Sequence, residues 1–200
     1  MTMQRPLLLA LVVAVLSAGP ASATSVSFEC LSNSSKCAVG EAQLSVEVAA
    51  AGPGQVSFLL RNEGDEELSA AQLFFDDAAG VLGNLLSVLD GTGVEFVEGG
   101  KPDNLKGGKK IGFEADAFAS ATKPTKENGV DPGEEVLIIF ALAGTHTLED
   151  VTAALESQSL RIGVNAKKAY ITIATGVPEP GVLCLLALGG AAAWVARRRS

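Results

Sequence analysis

Polar and apolar residues alternate with a period of two over Gln43-Leu44-Ser45-Val46-Glu47-Val48 and again over Gln55-Val56-Ser57-Phe58-Leu59-Leu60. Such alternation turns one face of an extended chain to a core and the other to water, so both segments are predicted strands. Gly52-Pro53-Gly54 supplies the turn that pairs them. Further strands are predicted over residues 25–29, 72–75, 94–97, 111–117, 135–143, 159–164 and 169–174. Asp90-Gly91, Gly99-Gly100, Gly107-Gly108, Asn128-Gly129 and Asp131-Pro132-Gly133 punctuate them as turns. Many short strands with frequent turns predict a mainly β fold, an antiparallel β-sandwich of jelly-roll-like form. One short helix is predicted over Leu148–Glu156. There Thr147 is the cap, Glu149 and Asp150 suit the positive end of the dipole, and Leu148, Val151 and Leu155 share a face. Residues 81–89 fit either a helix or a buried strand, and no internal repeat is evident.

Both ends of the chain break this pattern. Arg5 precedes ten apolar residues, 7–16 (LLLALVVAVL), followed by Gly19-Pro20 and the small-x-small site Ala21-Ser22-Ala23. Basic, apolar and small segments in that order predict a secretory signal peptide cut after Ala23 by signal peptidase. At the other end, Val177-Pro178-Glu179-Pro180-Gly181 leads into VLCLLALGGAAAWVA and then Arg197-Arg198-Arg199-Ser200. Residues 181–196 carry no charge and would reach about 24 Å as a helix, against about 30 Å of hydrocarbon, a gap that thinning and arginine snorkelling can close. Arg197, Arg198 and Arg199 act as a stop-transfer cluster held in the cytoplasm, which places the preceding domain outside it. Pro178 and Pro180 keep the strip above the membrane extended. The expected organisation is therefore a signal peptide (1–23), an extracytoplasmic domain (24–176) and a tail with a transmembrane helix (177–200).

Composition changes its meaning once the ends are set apart. The whole chain has a formal net charge of -8 and is 48% apolar. Residues 24–176 hold 22 of the carboxylates against 11 basic residues, so the exported part is strongly acidic. An excess of carboxylates repels phosphate and argues against nucleic acid as a partner.

The three-part tail, VPEPG followed by a short apolar helix and terminal arginines, resembles the PEP-CTERM sorting signal of exosortase substrates. The resemblance implies tethering in the inner membrane and recognition of Val177, Pro178, Glu179 and Pro180 by an exosortase. It also implies delivery to the cell surface or an exopolysaccharide matrix, in a bacterium with an outer membrane. The competing reading is a permanent single-span anchor, with Cys184 packed inside the span. The middle of the chain resembles secreted PEP-CTERM proteins with a single β-sandwich, through Asn128-Gly129-Val130-Asp131-Pro132-Gly133-Glu134, the strand 136–142, Leu148-Glu149-Asp150-Val151 and Leu160-Arg161-Ile162-Gly163-Val164. That resemblance brings no catalytic residue with it.

Candidate chemistry is sparse. Cys30 and Cys37 are the cysteines of the exported part, and an oxidising compartment predicts a disulfide between them. His146 is the single histidine, set between two threonines without a Gly-x-Ser-x-Gly elbow, and reads as an exposed loop residue. Carboxylates cluster at Glu63-Asp65-Glu66-Glu67, at Asp76-Asp77 and at Asp131 with Glu134-Glu135. They read as solvated turns that keep a β-protein soluble, or as carboxylates for glycoside hydrolysis. They also suggest hard oxygen ligands for calcium, with Asp76, Asp77 and Asp90 as the candidates. A sugar platform would need exposed Trp or Tyr, and the exported part has only Tyr170. Lys106, Lys109, Lys110, Lys123 and Lys126 read as loop solubilisers or as a patch for an acidic exopolysaccharide. The expected function is a non-enzymatic surface or matrix protein associated with exopolysaccharide or biofilm. The alternative is a carbohydrate- or calcium-binding adhesin module on the same fold.

Overall fold

A computed structural model describes residues 23–31, 34–99, 105–167 and 171–175. The predicted hairpin forms as β3 (Leu44–Gly52) and β4 (Gln55–Asn62), antiparallel, with Val46 opposite Leu60 and Val48 opposite Phe58. The alternation places Leu44, Val46, Val48, Val56, Phe58 and Leu60 inward, all buried, and leaves Ser45, Glu47 and Ala49 on the outer side. The next strands are β5 (Ala70–Asp77), β6 (Leu82–Asp90), β7 (Phe96–Glu98), β8 (Ala117–Ala121), β9 (Glu135–Leu142), β10 (Leu160–Ala166) and β11 (Ile171–Thr175). Ahead of the hairpin lie two three-residue strands, β1 (Thr24–Val26) and β2 (Phe28–Cys30).

The strands assemble into two antiparallel sheets. Sheet A runs β1-β3-β4-β9-β6 and sheet B runs β2-β11-β10-β5-β8-β7. From β4 to β7 the chain changes sheet at every step, and it does so again from β8 through β9 to β10. Phe58 and Phe140 of sheet A meet Phe75 of sheet B in edge-to-face contacts, with ring centroids 5.0 and 4.8 Å apart, and meet each other at 5.8 Å. One core is therefore shared by both sheets, with Leu73, Ile162 and Val164 facing Val46, Val136 and Ile138 across it.

Several expectations are corrected. The strand expected over 25–29 is split at Ser27, so β1 joins sheet A and β2 joins sheet B. Residues 81–89 are neither helix nor buried strand. β6 is the edge of sheet A, and its register against β9 slips twice, between Leu82 and Leu85 and between Leu85 and Ser87. The extra residues turn Leu86 outward, and both Leu86 (49%) and Leu89 (52%) are exposed. The strand expected over 111–117 is instead a 3-10 turn (Gly108–Ile111), a connecting segment, and then β8. Gly107 and Gly112 bracket that turn at φ 86° and 64°, a backbone region that favours glycine.

The helix over Leu148–Glu156 forms as expected, with Val151, Ala154 and Leu155 buried. Thr147 Oγ1 accepts from the Asp150 N–H, while Asp150 Oδ2 accepts from the Thr147 N–H, a reciprocal cap. A single helix was expected, yet a second precedes it in the chain. It is α1 (Cys37–Gln43), and the later helix is α2. No apolar period marks α1; it is tied to β2 by the cysteine bridge described below. Among the described residues no helix is long and apolar enough to cross a membrane, and the expected transmembrane helix lies outside them.

Candidate functional site

The sequence assigns function to the tail, and the fold determines how that tail leaves the domain. β11 is the last described element, and it is enclosed between β10 and β2. Ile173 lies opposite Cys30, Ala174 opposite Glu29 and Thr175 opposite Phe28. Thr175 Oγ1 accepts from the Ile162 N–H at 3.1 Å, pinning the last described residue to β10 as well. β2 is held in turn, since Cys30 and Cys37 form a disulfide with Cα atoms 5.5 Å apart and the Cys30 N–H donates to Glu41 Oε1 at 2.8 Å. Pro178 is three residues past Thr175 in the sequence. At the other end of the described residues, Ala23 is exposed just before β1. Ala21, the sorting residues Val177, Pro178, Glu179 and Pro180, and Arg197, Arg198 and Arg199 all lie outside the described residues, as do Tyr170 and Cys184.

The fold brings two of the three carboxylate clusters together. Asn62, at the end of β4 and 1% exposed, organises them. Its backbone N–H donates to the Glu134 carbonyl and its own carbonyl accepts from the Gly133 N–H. Its Nδ2 donates to the carbonyls of Leu68 (3.0 Å) and Val130 (3.2 Å), and Gln43 Nε2 donates to Asn62 Oδ1 (3.1 Å) and to the Glu66 carbonyl (3.2 Å). Glu63, Asp65, Glu66 and Glu67 thus sit exposed on a loop whose base is fixed beside the 131–134 turn. Arg61 bridges Glu135 and Glu47 on the outer side of sheet A, and its pKa is raised by those hydrogen bonds, Glu135 first.

The calcium candidates have other work. Asp76, 4% exposed at the far end of β5, pairs with Arg161 and accepts from the Glu114 N–H at 3.1 Å. Asp77 accepts from the N–H groups of Val81 (3.2 Å) and Leu82 (2.7 Å), closing the turn into β6. Asp90 accepts from the Phe96 N–H at 2.9 Å and so shapes the turn into β7. Among the described residues no group of three or more His, Cys, Asp or Glu side chains is placed to hold a metal ion. His146 is exposed, with Nδ1 3.4 Å from Asp150 Oδ2. The Asp150 pKa is lowered, first by the hydrogen bond from the Thr147 backbone.

The lysines separate into two groups. Lys123 and Lys126 follow β8 at the end where Ser120 faces Gln72, whereas Lys106, Lys109 and Lys110 surround the 3-10 turn over the outer side of sheet B. The base of that turn is built from Leu105 and Phe113, both buried against Phe74. Arg161 clamps it, with Nη1 donating to the Ile111 carbonyl (2.7 Å) and Nη2 to the Gly112 carbonyl (2.6 Å) and to Asp76. Sequence reasoning missed both Arg161 and Asn62 as organisers. The available signals were a polar residue at an outward position between apolar ones, Leu160-Arg161-Ile162, and a polar residue at an inward position of an alternating strand, Asn62 in step with Phe58 and Leu60.

These features define a mainly β, disulfide-bridged protein whose last described strand leads directly into a C-terminal signal. Residues 176–199 match the family model of the PEP-CTERM protein-sorting motif, and in carrying that motif the chain is a PEP-CTERM protein. No curated protein and no solved structure matches the chain. The motif implies an exported, membrane-anchored precursor, dependent on an exosortase and sorted to the cell surface.

Proposed function

We propose that this chain is a non-enzymatic surface or matrix protein, a jelly-roll-like β-sandwich that an exosortase processes and releases into association with exopolysaccharide or biofilm. The observation that carries the reading is the sorting motif beginning at residue 176, directly after Thr175. A processing enzyme then works close against a folded domain whose last described strand is enclosed on both sides. Scaffold roles for the carboxylates support the same reading, because Asp76, Asp77 and Asp90 all accept from backbone N–H groups. The test is mass spectrometry of the mature C-terminus in cells with and without an active exosortase. Loss of Arg197, Arg198 and Arg199 with a new terminus near Pro178-Glu179-Pro180, only where the exosortase is active, is the expected result. An intact arginine tail in both strains would make the chain a permanent single-span protein instead.

The adhesin reading divides in two. Its carbohydrate half is favoured by the clamped lysine turn. Its calcium half rests on the Asp76, Asp77 and Asp90 candidates alone, and titration calorimetry of the protein with calcium, showing no heat, would remove it.

A further inference from the structure

Lys106, Lys109 and Lys110 are all exposed, and none takes part in an ion pair among the described residues. They stand out in a segment, 24–176, where carboxylates outnumber basic residues two to one. The turn that carries them is held firmly. Leu105 and Phe113 anchor its two ends in an apolar cluster, and Arg161 fixes two of its carbonyls. Side chains presented from a fixed base lose less freedom on binding than those on a loose loop. Ile111, 40% exposed, adds an apolar surface beside the ammonium groups.

We propose that this turn binds an acidic polysaccharide, with Lys106, Lys109 and Lys110 receiving its carboxylates and Ile111 lying against a sugar ring. The assignment rests on the surface-protein reading and gives it a ligand class. Shape selects a thread over a plane. Glu114 and Asp116 are exposed immediately beyond the turn, so a flat anionic bilayer brought onto the lysines would also meet carboxylates. A polysaccharide one sugar wide needs contact with the lysines alone. Single-stranded nucleic acid would need aromatic platforms for its bases, and no aromatic side chain is exposed among those described.

The experiment uses the full chain in nonionic detergent on immobilised polygalacturonate, with neutral dextran and phosphatidylglycerol vesicles as parallel arms. Retention on polygalacturonate but not dextran is expected, weakening as ionic strength rises from about 0.01 M to about 0.15 M and the Debye length contracts from about 30 to about 8 Å. The triple variant K106Q/K109Q/K110Q should bind about tenfold more weakly, the sum of three exposed ionic contacts. Lys123→Gln, which removes one charge at the other end of β8, should bind as the parent does. Thermal melting of all variants checks that the fold is kept. No retention, equal retention of the triple variant, or lysine-dependent binding to the vesicles alone would each overturn the assignment. None of these bears on the C-terminal cut, so failure here and failure of the sorting reading are told apart.

Discussion

The outer sides of the two sheets are built differently. On sheet A a cross-strand row runs Glu47, Leu59, Leu137, Leu89, with Leu59 and Leu137 half-buried and Leu89 exposed, and no described segment lies over it. On sheet B the equivalent rows read Gln72 opposite Asn165, Phe74 opposite Gly163 and Asp76 opposite Arg161. There the connection between β7 and β8 folds back as a cover, burying Leu105 and Phe113 over Phe74. Gly163 makes room for it: a Cβ there would meet Leu105 Cδ2 at 2.5 Å and Phe113 Cζ at 3.2 Å. A sandwich needs only its inner faces buried. The cover on sheet B is therefore an addition to the shared core, and its product is a rigid, lysine-bearing surface.

If the cover is a packed layer, removing its contacts should destabilise the protein as core changes do. Phe113→Ala carries the largest expected effect, about 3 kcal/mol, because a fully buried ring is lost and a cavity remains. Denaturant titration measures it, and a loss under about 1 kcal/mol would show that the segment merely rests on the sheet. Arg161→Ala is next, at about 3 kcal/mol or slightly less, since it leaves the buried Asp76 carboxylate with only the Glu114 N–H. Asp76→Asn in the Arg161→Ala background should recover part of that loss, which separates the unpaired charge from lost packing. Gly163→Ala follows at about 2 kcal/mol, because Leu105 and Phe113 must shift to admit one methyl group. Amide exchange should then quicken in residues 105–116 more than in the β3–β4 hairpin.

These contrasts show where the sequence was legible. The β3–β4 hairpin and α2 were readable because each signal is local: alternation about a Gly-Pro-Gly turn, and a Thr147 cap four residues ahead of Val151. The cover was not. Ile111 and Phe113 mimic the period of a strand, but the Ile111 carbonyl belongs to Arg161, fifty residues away in sequence. The disulfide was predictable from export and cysteine spacing, whereas α1 beside it depends on tertiary tethering. The two carboxylate clusters read as separate in the sequence, because Asn62, through Gln43, links Glu66 to Glu134 only in three dimensions. Of the sorting signal, the motif is local and was read in full. The enclosure of β11 by β2 is not local, since it pairs residues almost 150 positions apart.

The smallest expected effect belongs to the bare side. Leu89 sits at the edge of sheet A, half in water, and its inward neighbour Val88 does the packing against the core. Leu89→Gln removes apolar surface that is largely hydrated already, so stability should change by less than about 0.5 kcal/mol. A loss near that of Phe113→Ala would mean that the Leu59-Leu137-Leu89 row is covered in solution, and the contrast between the two sides would fail. A change within the small limit keeps the contrast, because the same kind of side chain then counts for little on a bare sheet and for several kcal/mol beneath a cover.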